Sequence, residues 1–216
     1  MTDEPNRRVH YREPRQARSA ATLARVLQAA EELAASVGLE EMTITGVAAR
    51  AGVAVGSIYR RFEGKEQLIT ALTERMLERR EEYVADRLRE AEPSLSGVMD
   101  AYAHALLQSF ADSSTLFPEL LRARGASAPD RGARAVTEIQ RLLLDAATPY
   151  AGQIRRSDPQ AALDTVARAV LGACFHTAVH PDRPVGEAAL RRYADELGDM
   201  ATGYLRTPDR RPAARA

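Results

Sequence analysis

The sequence predicts an all-α protein, and three observations lead there. Alanine, leucine, arginine and glutamate, all strong helix formers, dominate the 216 residues. Apolar residues return at i, i+3, i+4 and i+7 along most of the chain, while the two-residue alternation of a half-buried strand is absent. Pro93, Pro118, Pro129, Pro149, Pro159, Pro181, Pro184 and Pro208 cut the later chain into helix-sized pieces, because each disfavours helix at the residue before it.

The elements follow in order. A first helix is expected over about 18–37, where Leu23, Val26, Leu27, Ala30, Leu33, Ala34 and Val37 trace one stripe. Gly38 ends it, Leu39 and Met42 carry apolar character onward, and the hydroxyl of Thr43 or Thr45 can cap the next helix. That helix holds Ile44, Val47, Ala48 and Ala51 and breaks at Gly52, where a left-handed cap is easy for glycine. Ile58 and Phe62, four apart, anchor a second short helix to the first, and small Ala48 and Gly52 allow a close crossing. Glu63-Gly64-Lys65 then leads into a long helix over about 65–90 with Leu68, Ile69, Leu72, Met76, Leu77, Val84 and Leu88 in register. Further helices are expected near 95–110, 115–124, 130–148, 159–180 and 186–206, with 207–216 a disordered Pro/Arg/Ala tail.

Composition narrows the class. Apolar residues make up 45% and charged residues 28%, and the formal net charge is zero, so affinity for nucleic acid must come from a local patch. The first 25 residues supply one, with Arg7, Arg8, Arg12, Arg15, Arg18 and Arg25 against Asp3, Glu4 and Glu13. Residues 1–15 are expected to form a flexible basic arm, either a solvated tail or a contact to DNA backbone or minor groove. The single cysteine, Cys174, leaves no intramolecular disulfide framework and fits a reducing cytoplasm. No apolar run approaches the ~20 residues that span a bilayer, and the charged N-terminus has no hydrophobic signal core.

The stretch from Thr43 to Leu68 has the layout of a helix-turn-helix. Its second helix turns Val55, Gly56, Ser57, Tyr59, Arg60 and Arg61 outward, an unusual surface for a helix with nothing to bind. Gly56 and Ser57 let the backbone approach a major groove. A guanidinium from Arg60 or Arg61 can pair with guanine O6 and N7. Lys65 at the head of the next helix suits a phosphate, and Thr43 and Thr45 are placed either for phosphate contact or for capping alone.

The run AGVAVGSIYRRFEGKEQL resembles the TetR family of transcriptional regulators, whose pattern runs roughly AGV-S-x-G-x-(L/I)-Y-x-x-F-x-x-K-(E/D)-x-L. The resemblance covers residues from about 18 to 68. Two positions depart from it: Ala54 stands where the family usually has a capping serine, and Val55 where a polar or basic residue is common. The resemblance implies that Tyr59 reaches a phosphate through its hydroxyl. It also implies a helix-turn-helix domain over 16–66 and a helical effector-binding and dimerisation domain over 67–206. A homodimer through the helices near 159–180 and 186–206, a pseudopalindromic double-stranded DNA operator, repression and release by a small effector follow from the same likeness. Ala162, Val166, Ala169, Val170, Ala173 and Phe175 in one helix, and Ala189, Leu190, Tyr193, Leu197, Met200 and Leu205 in the other, serve either that dimer or an intrachain core.

Candidate effector contacts are Tyr102, His104, Leu106, Phe110, Phe117, Leu121, Cys174, Phe175 and His176. No inward charge is evident in the sequence, which points to an apolar or weakly polar effector. Two rival classes remain. His176 and His180 lie i, i+4 on one helix face with Cys174 and Asp182 nearby, a spacing that suits a metal-binding enzyme, but neither HExxH nor GxSxG is present. A helical protein-interaction scaffold explains the later helices and leaves Tyr59-Arg60-Arg61 without a role. No cofactor and no enzymatic activity are expected.

Overall fold

A computed structural model describes residues 15–113, 116–123, 129–180 and 186–210. The expectations on Arg7, Arg8 and Arg12 of the basic arm, on Asp182, on residues 211–216 and on the Leu121 side chain lie outside that range. The described regular structure is helical: α1 (Arg15–Glu41), α2 (Ile44–Ala51), α3 (Val55–Tyr59), α4 (Lys65–Arg89), α5 (Leu95–Asp112), α6 (Leu116–Ala123), α7 (Pro129–Ala147), a 3₁₀ segment (Thr148–Gln153), α8 (Pro159–Val179) and α9 (Glu187–Arg206). Two compact units divide between Leu72 and Thr73, so the first takes in residues 67–72 of α4 beyond the expected boundary at 66. Leu68 and Leu72, both fully buried, belong to it.

In the first unit, α1 buries Val26, Leu27, Ala29, Ala30 and Ala34. The stripe stops short of Val37, which is 47% exposed, because Gly38 (φ 86°, ψ 158°) turns the chain out of helical geometry. Leu39 and Met42 then return to the interior. Of the two candidate caps, Thr43 closes α2: its Oγ1 accepts from the Gly46 N–H at 3.1 Å. Gly52 ends α2 in the left-handed region (φ 63°, ψ 41°), and the Val53 N–H donates back to the Ala48 carbonyl at 3.0 Å. Ile58 and Phe62 are buried, as are Val47, Ala48 and Ala51.

The second unit is organised around α5, which packs against α7, α8 and α9 and buries nine residues, among them Tyr102, Leu106 and Phe110. Its N-terminus is capped by Ser94, whose Oγ accepts from the Gly97 N–H at 3.0 Å, and Asp158 caps α8 in the same way through Ala161. Gly198 lets α9 lie directly on α5, since a Cβ there would overlap the Asp100 carboxylate. Pro118, Pro129 and Pro159 all fall in the first turn of their helices, where a missing N–H is harmless. The 3₁₀ segment around Pro149 is an addition to the expected elements.

Part of the tail expected to be disordered is tied down. The Asp209 carboxylate accepts from the Ser157 N–H at 2.8 Å and from Arg156, whose guanidinium lies over the Tyr204 ring at 3.8 Å. Those hydrogen bonds hold the Asp209 carboxyl below its ordinary range.

Because Gly52 sits at positive φ with open space around it, its role is conformational. Gly52→Ala is expected to destabilise the first unit by about 1–2 kcal/mol in urea unfolding monitored by circular dichroism.

Candidate nucleic-acid interface and interior site

Strand-free and short, α3 owes its placement to its neighbours. Ile58 pins it from within, while the Ser57 N–H donates to the Ala54 carbonyl at 2.8 Å to start the turn. Ala54 provides no side-chain cap, as its methyl group requires. Outward from this anchor, Gly56 faces open space, Tyr59 is 55% exposed, Arg60 is exposed, and Val55 and Ser57 are half-buried. Thr45 is exposed at the first turn of α2.

The cations differ in their engagement. Arg60 Nη2 donates to Ser57 Oγ at 3.1 Å, a local contact that leaves most of its fork outward. Arg61 Nη2 donates to the Ser19 carbonyl at 2.9 Å and to Ser19 Oγ at 2.5 Å, bracing the end of α3 against the start of α1. Lys65 Nζ donates to the Glu40 carbonyl at 2.6 Å, satisfying an orphan acceptor at the end of α1. Arg61 and Lys65 thus act as braces within the unit. Sequence reasoning missed two further supports. Arg50 pairs with Glu32 at 2.8 Å, linking α2 to α1, and the Gln67 side chain caps the Glu63 N–H at 3.0 Å. The Arg50 and Gln28 hydrogen bonds lower the pKa of the Glu32 carboxyl.

In the second unit, the residues expected to line an effector site fall into separate places. Phe110, Phe117 and Phe175 meet edge to face, with centroids 5.0, 5.8 and 6.4 Å apart, beside buried Cys174. Tyr102 and Leu106 are fully buried on α5, and the Tyr102 hydroxyl faces the Ala167 carbonyl at 3.4 Å. Burial raises the pKa of the Tyr102 phenol and pushes the Cys174 thiol up to about 12. His104 turns instead to α9 and pairs with Asp195 at 2.7 Å. His176 is exposed and stacks on His180 at 4.0 Å; among the described residues no group of three or more His, Cys, Asp or Glu is placed to hold a metal.

The expectation that no charge faces the interior fails at Arg80. This side chain, on α4, is 5% exposed. Its guanidinium carbon lies 3.9 Å from the Phe110 centroid and 4.8 Å from that of Phe117, and Nη2 donates to Ser113 Oγ at 2.9 Å. Burial draws its pKa down to about 10, so it remains charged at neutral pH. The sequence carried a signal for it: position 80 falls four after Met76 and four before Val84, squarely in the buried register of α4.

Residues 26–72 match the family model for bacterial regulatory proteins of the tetR family. Over these residues the chain carries a TetR-type N-terminal domain. The matched domain is of the helix-turn-helix, DNA-binding type found in transcription regulators, with α2 and α3 as its motif. Among solved structures it resembles a TetR-family transcriptional regulator from Streptomyces coelicolor at 29% identity, covering 86% of this chain and 97% of that one with TM-score 0.59. A second TetR-family regulator, from Pectobacterium atrosepticum, aligns over 91% of this chain and 100% of its own at 24% identity and TM-score 0.67. SmeT, the repressor of the Stenotrophomonas maltophilia multidrug efflux pump SmeDEF, shares the fold at 21% identity, 86% and 90% coverage and TM-score 0.54. No curated protein matches the chain. No described helix is long and apolar enough to cross a membrane.

The caps of the TetR-type motif give two opposed expectations. Ala54→Ser should add about 0.5–1 kcal/mol by supplying α3 with a cap hydroxyl, whereas Thr43→Ala should remove about 1 kcal/mol from α2. Chemical denaturation of the two variants beside the parent reads both.

Proposed function

We propose that the chain is a cytoplasmic repressor that binds a pseudopalindromic DNA operator as a homodimer and releases it when a small effector occupies the second unit. The observation that carries the DNA half is the outward face of α3, where open Gly56 and exposed Tyr59 and Arg60 project from a turn pinned by Ile58. In this reading α3 lies in the major groove, Gly56 admits the backbone, and Arg60 addresses a base edge. Tyr59, Thr45 and Ser57 contact phosphates or base edges beside it. Val55 packs along the groove wall. Arg61, Lys65 and Thr43 support the motif from within and meet phosphates only at its margin.

A single short helix buries too little surface to define one genomic site, which favours two copies reading two half-sites. Helices α8 and α9 are the surfaces proposed for pairing. Ala162, Val166, Val170, Leu197 and Leu205 are buried within the chain and so serve its own core, not a partner. Outward on the same helices stand Ala169, Gly172, Val179, Met200 and Gly203, small or apolar, with Val179 37% and Met200 52% exposed. The metal and scaffold alternatives give no account of the α3 surface.

Arg60→Ala is expected to weaken specific operator binding by about 1–3 kcal/mol in a gel shift with sites selected from random DNA. Parent-like affinity together with parent-like discrimination between selected and scrambled sites in the variant would remove Arg60 from base reading. Light scattering after size exclusion should give twice the chain mass of 23.6 kDa, and a mass near 23.6 kDa would sink the dimer.

A further inference from the structure

We propose that Arg80 is the anchor of a binding site for a small monocarboxylate with a flat apolar body, held among Phe110, Phe117 and Phe175. This inference rests on the effector reading above and names the chemistry of the ligand. It starts from an electrostatic imbalance. A guanidinium carries five N–H donors and a full charge, and its burial is tolerated only with counter-charge and hydrogen bonds. Arg80 has one good hydrogen bond, to the neutral Ser113 hydroxyl, and a long one of 3.5 Å to the Ser109 carbonyl. Its Nε is buried with no hydrogen-bond partner among the described residues. Among the described residues no carboxylate pairs with it: burial and the thiol of Cys174 are the influences that act on its charge.

The neighbourhood compensates the charge only in part. The faces of Phe110 and Phe117 stabilise the cation through their ring quadrupoles but accept no hydrogen bond from its edge. A planar anion in the guanidinium plane would complete these bonds, and a carboxylate matches that fork with two parallel ones. One cation calls for one negative charge, hence a monoanion. Phe110, Phe117 and Phe175 supply aromatic surface beside it, which selects an apolar body that can stack edge to face as the three rings do with one another. Phe175 is 41% exposed while Phe110 and Phe117 are buried, so the ligand passes Phe175 to reach the cation.

The test uses the full chain and three acids, benzoate, phenylacetate and octanoate, each beside its uncharged amide, by calorimetric titration and thermal melting. At least one acid should bind saturably and roughly ten- to a hundredfold more tightly than its amide. Arg80→Met should abolish that preference while melting at or above the parent temperature, since it removes an unpaired buried charge. Arg80→Lys, which keeps the charge without the fork, should retain part of it. Equal binding of acid and amide throughout, absence of binding by all three acids, or an unchanged preference in Arg80→Met would each overturn the site. Operator affinity measured in parallel separates the two readings. An acid that binds through Arg80 without weakening operator binding leaves the site and removes the effector role. A neutral compound that releases operator equally from parent and Arg80→Met leaves the effector role and removes the site.

Discussion

Burial of α5 is the constraint on which the larger unit depends. A helix that hides nine of its eighteen residues cannot lie on a surface; it must be enclosed, and α7, α8 and α9 do so. Each neighbour then has its approach set by what α5 offers. Gly198 gives α9 the room to press onto Asp100, and His104 reaches across to Asp195 to fix the same pair. The burial of Asp100, with Asp199 close by, raises its carboxyl pKa. Further along, Phe110 leaves the α5 core on the side where α4 brings Arg80, so the site proposed for a ligand is a by-product of how α5 is surrounded.

The reading head works on a smaller scale, and its rigidity has other sources. Residues 55–59 form little more than one turn of helix, far too short to persist alone. It holds because the chain on either side is fastened: Gly52 reverses direction, Ile58 enters the core, and Arg61 and Lys65 bind carbonyls of α1. Two cations that a purely electrostatic view assigns to DNA therefore do structural work first. Their charge still contributes to the local field that a phosphate backbone meets, even while their hydrogen bonds face inward.

An unpaired buried charge lowers stability, and a core of this size could have placed leucine at position 80. In the proposed site the mismatch has a use, because the carboxylate of a ligand would satisfy what the protein leaves open. The three-phenylalanine cluster limits the penalty through cation–π contacts worth up to about 2 kcal/mol each when desolvated. The geometry thus joins a stabilising aromatic core to a directional demand for an anion.

Much of this was legible in the chain alone. The helical class, nearly every helix and its limits, the break at Gly38, the left-handed cap at Gly52 and the bare N-terminus of α3 at Ala54 all follow from chemistry within a few residues. So does the outward set Gly56, Tyr59 and Arg60, because helical period alone separates it from Ile58. Tertiary structure decided what period cannot: that Arg61 binds Ser19 and Lys65 binds Glu40, that Asp209 is anchored, and that His104 faces Asp195 instead of the phenylalanines. It also decided that Arg80 is enclosed by rings thirty and thirty-seven positions away, at Phe110 and Phe117. Local order depends on neighbours in the chain and can be read from it, whereas the partner of a long polar side chain depends on which distant helix the packing brings within its reach.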